Sequence, residues 1–127
     1  MKKIKALDKA RLIAQLASEK KGDNIILMDM RKVSAICDWF VVATANTSRR
    51  LNAISNTIQR KLSKENLAPL HVEGSNNPNW VLLDYEDVVV HVFRKEVREF
   101  YSLEKLWTGV SIKRYEEKCP EKTSRKE

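Results

Sequence analysis

A chain of 127 residues with 43% hydrophobic residues can bury one core and is too apolar for a disordered coil. No run approaches the roughly 18 apolar residues that span a bilayer, so no membrane partner is expected. The net charge of +7 is uneven: residues 1–64 carry 14 basic and 5 acidic residues, net +9, and the remainder carries 10 and 12, net −2. That split points the first half toward anionic surroundings.

The opening MKKIKALDKARLIAQLASEKK lacks the apolar stretch and cleavage site of a secretory signal, and Asp8 and Glu19 argue against a transit peptide. Cys37 and Cys119 are too few and too far apart for a disulfide framework or a metal knuckle. A reduced, intracellular setting is the simplest expectation, and the expected location is cytoplasmic. Ala6 to Lys21 reads as an amphipathic helix on the spacing of Ala6, Ala10 and Ala14 with Leu12, Ile13, Leu16 and Ala17. Lys20 and Lys21 would close its last turn and Gly22 would cap it. Asn24–Met30 and Trp39–Ala45 read as strands, the second β-branched and aromatic at its centre.

Asn46, Thr47 and Ser48 offer three N-cap candidates for the next helix. Leu51, Ile54, Ile58 and Leu62 recur at helical spacing, while Arg49, Arg50, Gln59, Arg60 and Lys61 take the other faces. Asn66 and Pro69 bracket its end. Leu70–Glu73 is a short strand, and Trp80–Asp84 with Val88–Phe93 form a hairpin around Tyr85-Glu86-Asp87. Ser102 can cap a short helix over Leu103–Trp107, and VSIKRY adds an extended piece. The predicted class is α/β, a single domain with a mixed β-sheet flanked by helices, over residues 1–115. The strands on either side of the Leu51–Leu62 helix would form its parallel pair. Residues 116–127 read as a polar, disordered tail.

The chemistry these residues can support is limited. His91, Asp84 and Asp87 lie close in sequence, but a transition-metal site needs three or four converging ligands and His71 is the only other histidine. Asp29, Asp38 and Asp84 are scattered, with no Asp-x-Asp pair to hold Mg²⁺. Three glycines in the whole chain leave no phosphate-cradling loop. Cys37 has no activating base beside it. No metal, cofactor or catalytic residue is therefore expected. The basic helix carrying Arg49, Arg50, Arg60, Lys61 and Lys64 suits a polyanion, though no stacked-aromatic signature accompanies it. Trp80, Tyr85, Tyr101 and Trp107 are the large amphipathic aromatics enriched at protein interfaces.

The strings MDMRKVSAICDWFVVATANTSRRLNAI and EGSNNPNWVLLDYEDVVVHVFRKEVREFYSLEKLW closely resemble the ribosomal silencing factor (RsfS, or Iojap) family, over residues 6 to 110. The most specific positions are Trp80-Val81-Leu82-Leu83-Asp84-Tyr85, Asp87, Val90-His91-Val92-Phe93, Arg98, Tyr101, Leu103-Glu104 and Trp107. The resemblance implies a non-enzymatic factor that docks on the large ribosomal subunit against the ribosomal protein numbered fourteen. It would repress translation by obstructing joining of the small subunit. Organelle members are linked to large-subunit assembly, the alternative role. The implied fold is related in shape to nucleotidyltransferases but lacks their catalytic acids. One departure stands out: Glu86 occupies the hairpin-turn position where the family usually has glycine.

Taken with the aromatic count, this assigns partner binding to Trp80 and Tyr101 as anchors and to Leu82 and Leu103 as apolar contacts. Tyr85 joins them as a further aromatic, and Glu73, Asp84 and Glu104 would meet basic groups. Strand alternation puts Trp80, Leu82 and Asp84 on one face and Val81, Leu83 and Tyr85 on the other, and one of the two must meet the helices. His91 and Asp87 are assigned to hairpin support. Adjacent rRNA is a further expected neighbour, and an exposed apolar face offers a route to a homodimer when the ribosome is absent.

Overall fold

The computed structural model describes residues 5–35, 37–74, 77–97 and 111–114. The elements run α1 (Ala6–Glu19), β1 (Asp23–Asp29), β2 (Trp39–Ala45), α2 (Ser48–Ser63), β3 (His71–Glu73), β4 (Trp80–Asp84), β5 (Val88–Arg94) and β6 (Ser111–Arg114). The expected Leu103–Trp107 helix and the tail from Glu116 lie outside the described residues.

Capping chemistry fixes both ends of α2 and the end of α1. Thr47 opens α2: its hydroxyl accepts from the Arg50 N–H at 3.1 Å. At the far end the Leu67 N–H reaches Leu62 O at 2.9 Å and the Asn66 N–H reaches Ser63 O at 3.0 Å. Asn66 takes the left-handed conformation such a closure demands, φ 63°. α1 ends the same way, with the Gly22 N–H on Ala17 O and the Lys21 N–H on Ser18 O. The left-handed residue there is Lys21 (φ 65°), and Lys20 is the cap, so both lysines follow the helix instead of closing its last turn. Gly22 serves a different need. A Cβ at this position would stand 2.9 Å from Ala17 O and 3.3 Å from Ile54 Cδ1, so glycine lets the end of α1 close on α2.

Six strands form one sheet in the order β3-β4-β5-β2-β1-β6. β2 and β5 run parallel, Trp39 opposite Val88 through Ala45 opposite Arg94. The other four pairings are antiparallel. The parallel partner of β2 is therefore β5, not β3 as the position of the helix suggested. The reason is burial. The run from Val88 to Phe93 is buried at every position but Val89 and belongs at the sheet centre, whereas the three-residue β3, with His71 and Glu73 exposed, suits an edge. Leu70, expected to open β3, precedes it and is 69% exposed.

Both helices cover one face. The row Val72, Leu83, Val90, Val41 and Leu27 crosses the sheet beneath them, against Ala10, Ile13, Ala14 and Ala17 of α1 and the Leu51–Leu62 stripe of α2. All four stripe residues of α2 are fully buried. The opposite face carries a smaller cluster of Ile26, Met28, Met30, Cys37, Val42 and Phe93, with Phe40, Trp80, Val89 and Val97 packed against it.

Candidate docking surface

The β4–β5 turn explains the unusual glutamate. The Tyr85 N–H reaches Val88 O at 2.8 Å, and the Asp87 N–H reaches Tyr85 O at 3.0 Å, closing a tight turn about Glu86 at φ 78°. This is the left-handed region that glycine adopts without steric penalty, so Glu86 is strained. Neighbouring contacts hold it there. Asp84 Oδ1 accepts from the Glu86 N–H at 2.8 Å, and Asp87 Oδ1 takes the Lys9 ammonium of α1 at 2.6 Å. The Asp87 carbonyl accepts from the N–H groups of Asp38 and Trp39, tying the turn to the start of β2. Asp87 thus supports the hairpin.

Register places the remaining expected residues. Glu73, Leu82, His91 and Val42 lie in one cross-strand row, and His71, Asp84, Val89 and Phe40 in the next. Trp80 stands opposite Phe93. Since Val72 and Leu83 point into the helix-covered core, Trp80, Leu82, Asp84 and Glu73 all lie on the face turned away from the helices. That face is not uniformly open. Exposure falls along the row, from Glu73 exposed and Leu82 half-buried to His91 and Val42 buried. At the β3–β4 rim Glu73 is exposed and Trp80, Leu82 and Asp84 are half-buried; Phe40 and Val89 are half-buried further in, and Ile112 is exposed at the β6 edge. Gly74 sets the approach of Trp80, for a Cβ there would lie 2.5 Å from Trp80 O.

Tyr85 is the exception in the expected set. It is 3% exposed and packs in the helix-side core, where burial pushes its phenol up to about 12. It continues the parity of Val81 and Leu83, so a partner on the rim would not meet its ring. Tyr101, Leu103 and Glu104 lie outside the described residues. His71 is not among the residues expected at the site, yet its Nε2 sits 2.8 Å from Glu73 Oε2 on the same exposed edge. The i, i+2 spacing on a strand was the available signal.

The groups that resembled an active site do not converge. Asp87 is turned to α1, and Asp84 is committed to the turn. His91 lies between Phe40, edge-on at 4.8 Å, and Phe93, stacked at 6.0 Å. Both ring nitrogens of His91 lack a hydrogen-bond partner among the described residues. Burial pushes its pKa down to about 4, so the imidazole is neutral at pH 7. Burial likewise holds the Cys37 thiol above its ordinary value, away from thiolate chemistry. Among the described residues no group of three His, Cys, Asp or Glu side chains is placed to hold a metal ion, and no helix is long and apolar enough to cross a membrane.

Comparison with known proteins bears on this arrangement. The family described as "Ribosomal silencing factor during starvation" matches residues 3–127. The ribosomal silencing factor RsfS of Bacillus subtilis is 34% identical over 97 residues, spanning 76% of this chain and 82% of its own. The mouse "Mitochondrial assembly of ribosomal large subunit protein 1" is 25% identical over 100 residues, 76% of this chain but 44% of its own length. A crystal structure of a Chromobacterium violaceum protein superposes with a TM-score of 0.80 at 33% identity, covering 84% of this chain and 88% of that one.

Proposed function

The chain belongs to the family of ribosomal silencing factors, and from that premise we propose that it docks on the large ribosomal subunit through the β3–β4 rim and sterically prevents joining of the small subunit. One observation carries the assignment to this surface. Trp80 and Leu82 lie half-buried on the face opposite α1 and α2, flanked by the carboxylates of Glu73 and Asp84. An aromatic anchor and an aliphatic contact with acids at the margin suit a basic protein surface. The ribosomal protein numbered fourteen of the large subunit is the proposed partner. Tyr101, Leu103 and Glu104 are assigned to the same contact on the family resemblance alone.

Steric exclusion needs no catalytic residue and no cofactor, and it places the protein in the cytoplasm with the ribosomes it silences. Co-sedimentation with separated subunits and with joined ribosomes tests the proposal. The chain should travel with large subunits and lower the yield of joined particles. A second reading is assembly of the large subunit, favoured by the name of the mouse relative. It predicts association with large subunits and an undiminished yield of joined particles.

A further inference from the structure

The charges at the start of α2 run against the helix. Its first turn contains no acid and carries Arg49 and Arg50, where the N-terminal end of the dipole already presents positive partial charge. The same place receives Lys20 and Lys21 from the end of α1. Those two are explained in part by the dipole, since cations suit a helix C-terminus. Lys21 nonetheless holds φ 65°, a conformation glycine would adopt more easily. Together the two helix ends line a pocket of about 320 Å³ whose charged walls are Lys20, Lys21, Arg49 and Arg50. The one acid in its lining, Glu19, accepts from the Gln15 amide at 3.3 Å. Among the described residues none of the four cations makes an ion pair. Four cations gathered around a single carboxylate, two of them against a dipole, break local electrostatic preference with no ion pair among the described residues to offset it.

We infer that this pocket, with the exposed Arg60, Lys61 and Lys64 further along α2, is a contact surface for the phosphodiester backbone of ribosomal RNA. The chemistry selects backbone over base. No aromatic side chain lines the pocket to stack a nucleobase, and its one apolar residue is Ala53. The length of the basic strip selects a polyanion over a single phosphate. α2 covers the sheet face opposite the rim that bears Trp80, so protein and RNA would be engaged on different sides of the molecule. The source of the RNA rests on the large-subunit reading above; the polyanion chemistry of the patch does not.

The test uses the full chain, with protein-free large-subunit RNA and intact large subunits as separate probes. Arg49→Gln/Arg50→Gln and Lys20→Gln/Lys21→Gln are made singly and combined, with thermal melting as the folding control. Wild-type binding to the naked RNA should fall steeply with salt. The combined variant should bind it at least about tenfold more weakly. The slope of log K against log salt should shrink by about 3, as expected when each removed cation had neutralised nearly one phosphate. Trp80→Ala should leave naked-RNA binding unchanged while weakening the hold on intact subunits, which separates failure of this inference from failure of the docking proposal. A folded combined variant with wild-type affinity and slope overturns the inference. So does one that keeps RNA binding but no longer binds the isolated ribosomal protein, because the patch would then belong to a protein interface.

Discussion

On the helix-covered side of the sheet, β4 and β5 present Val81, Leu83, Val88, Val90 and Val92, each no more than 2% exposed. The other side of these two strands presents Trp80, Leu82 and Asp84 half-buried, and seats a histidine with neither nitrogen bonded among the described residues. The first side does what folding requires: apolar rows meet apolar helix stripes and exclude water. The second departs from that rule in a graded way, from a buried cluster at the centre to an aromatic and acidic rim at β3. There Trp80 and Leu82 lie half-buried between two carboxylates, the arrangement on which the docking proposal rests.

The sharpest way to break this contrast is to cut into the helix side. Ile54→Ala removes a fully buried side chain at the α1–α2 junction and should lower stability by about 3 kcal/mol in urea unfolding. A loss below about 1 kcal/mol would mean that this side is no more tightly packed than the rim. His91 gives the corresponding test on the other side. Its folded pKa of about 4 lies below the ordinary 6.5, so between those values the unfolded chain binds a proton that the folded chain does not. Stability is therefore intact above about pH 6.5, falls as the pH drops toward 4, and loses nothing further from this group below that. The shift corresponds to about 3 kcal/mol at most. His91→Leu should flatten that part of the pH–stability curve; parallel curves for variant and wild type would show that the imidazole is not held neutral by burial.

The hairpin turn joins the two faces and predicts smaller effects. Asp87→Asn leaves the Lys9 ammonium, its side chain 9% exposed, without its counter-charge. The loss should be about 2 kcal/mol, short of a fully buried pair because Asp87 is 28% exposed, and adding Lys9→Met should recover most of it. Glu86→Gly should raise stability by about 1 kcal/mol by relieving the left-handed φ, with subunit binding unchanged. A thermal melt that moved downward would show that Glu86 makes a compensating contact.

Much of this was legible in the sequence where the signal is local. The Leu51–Leu62 stripe and the two hairpin strands follow from spacing and side-chain chemistry and stand where they were expected, and the N-cap is Thr47, one of the three candidates. The parity of β4 also placed Trp80, Leu82 and Asp84 together and Tyr85 with Val81 and Leu83, but not which of the two faces the helices cover. What sequence spacing could not supply is long-range pairing. Nothing local says that β5 inserts beside β2, that Lys9 reaches a turn 78 residues away, or that the ends of two helices bring four cations together. Nor could composition foresee that Lys21, and not Gly22, takes the positive φ, because tight packing against Ile54 had already claimed the glycine.

The rim is proposed to hold the ribosome while the helix-covered face holds the fold. Affinity of Trp80→Ala for isolated large subunits, measured beside its melting temperature and beside the exposed-site variant Glu73→Lys, tests it most directly. A folded Trp80→Ala protein should bind at least about fivefold more weakly, a loss of about 1 kcal/mol, with Glu73→Lys weakened in the same direction. Wild-type affinity in both folded variants would contradict it.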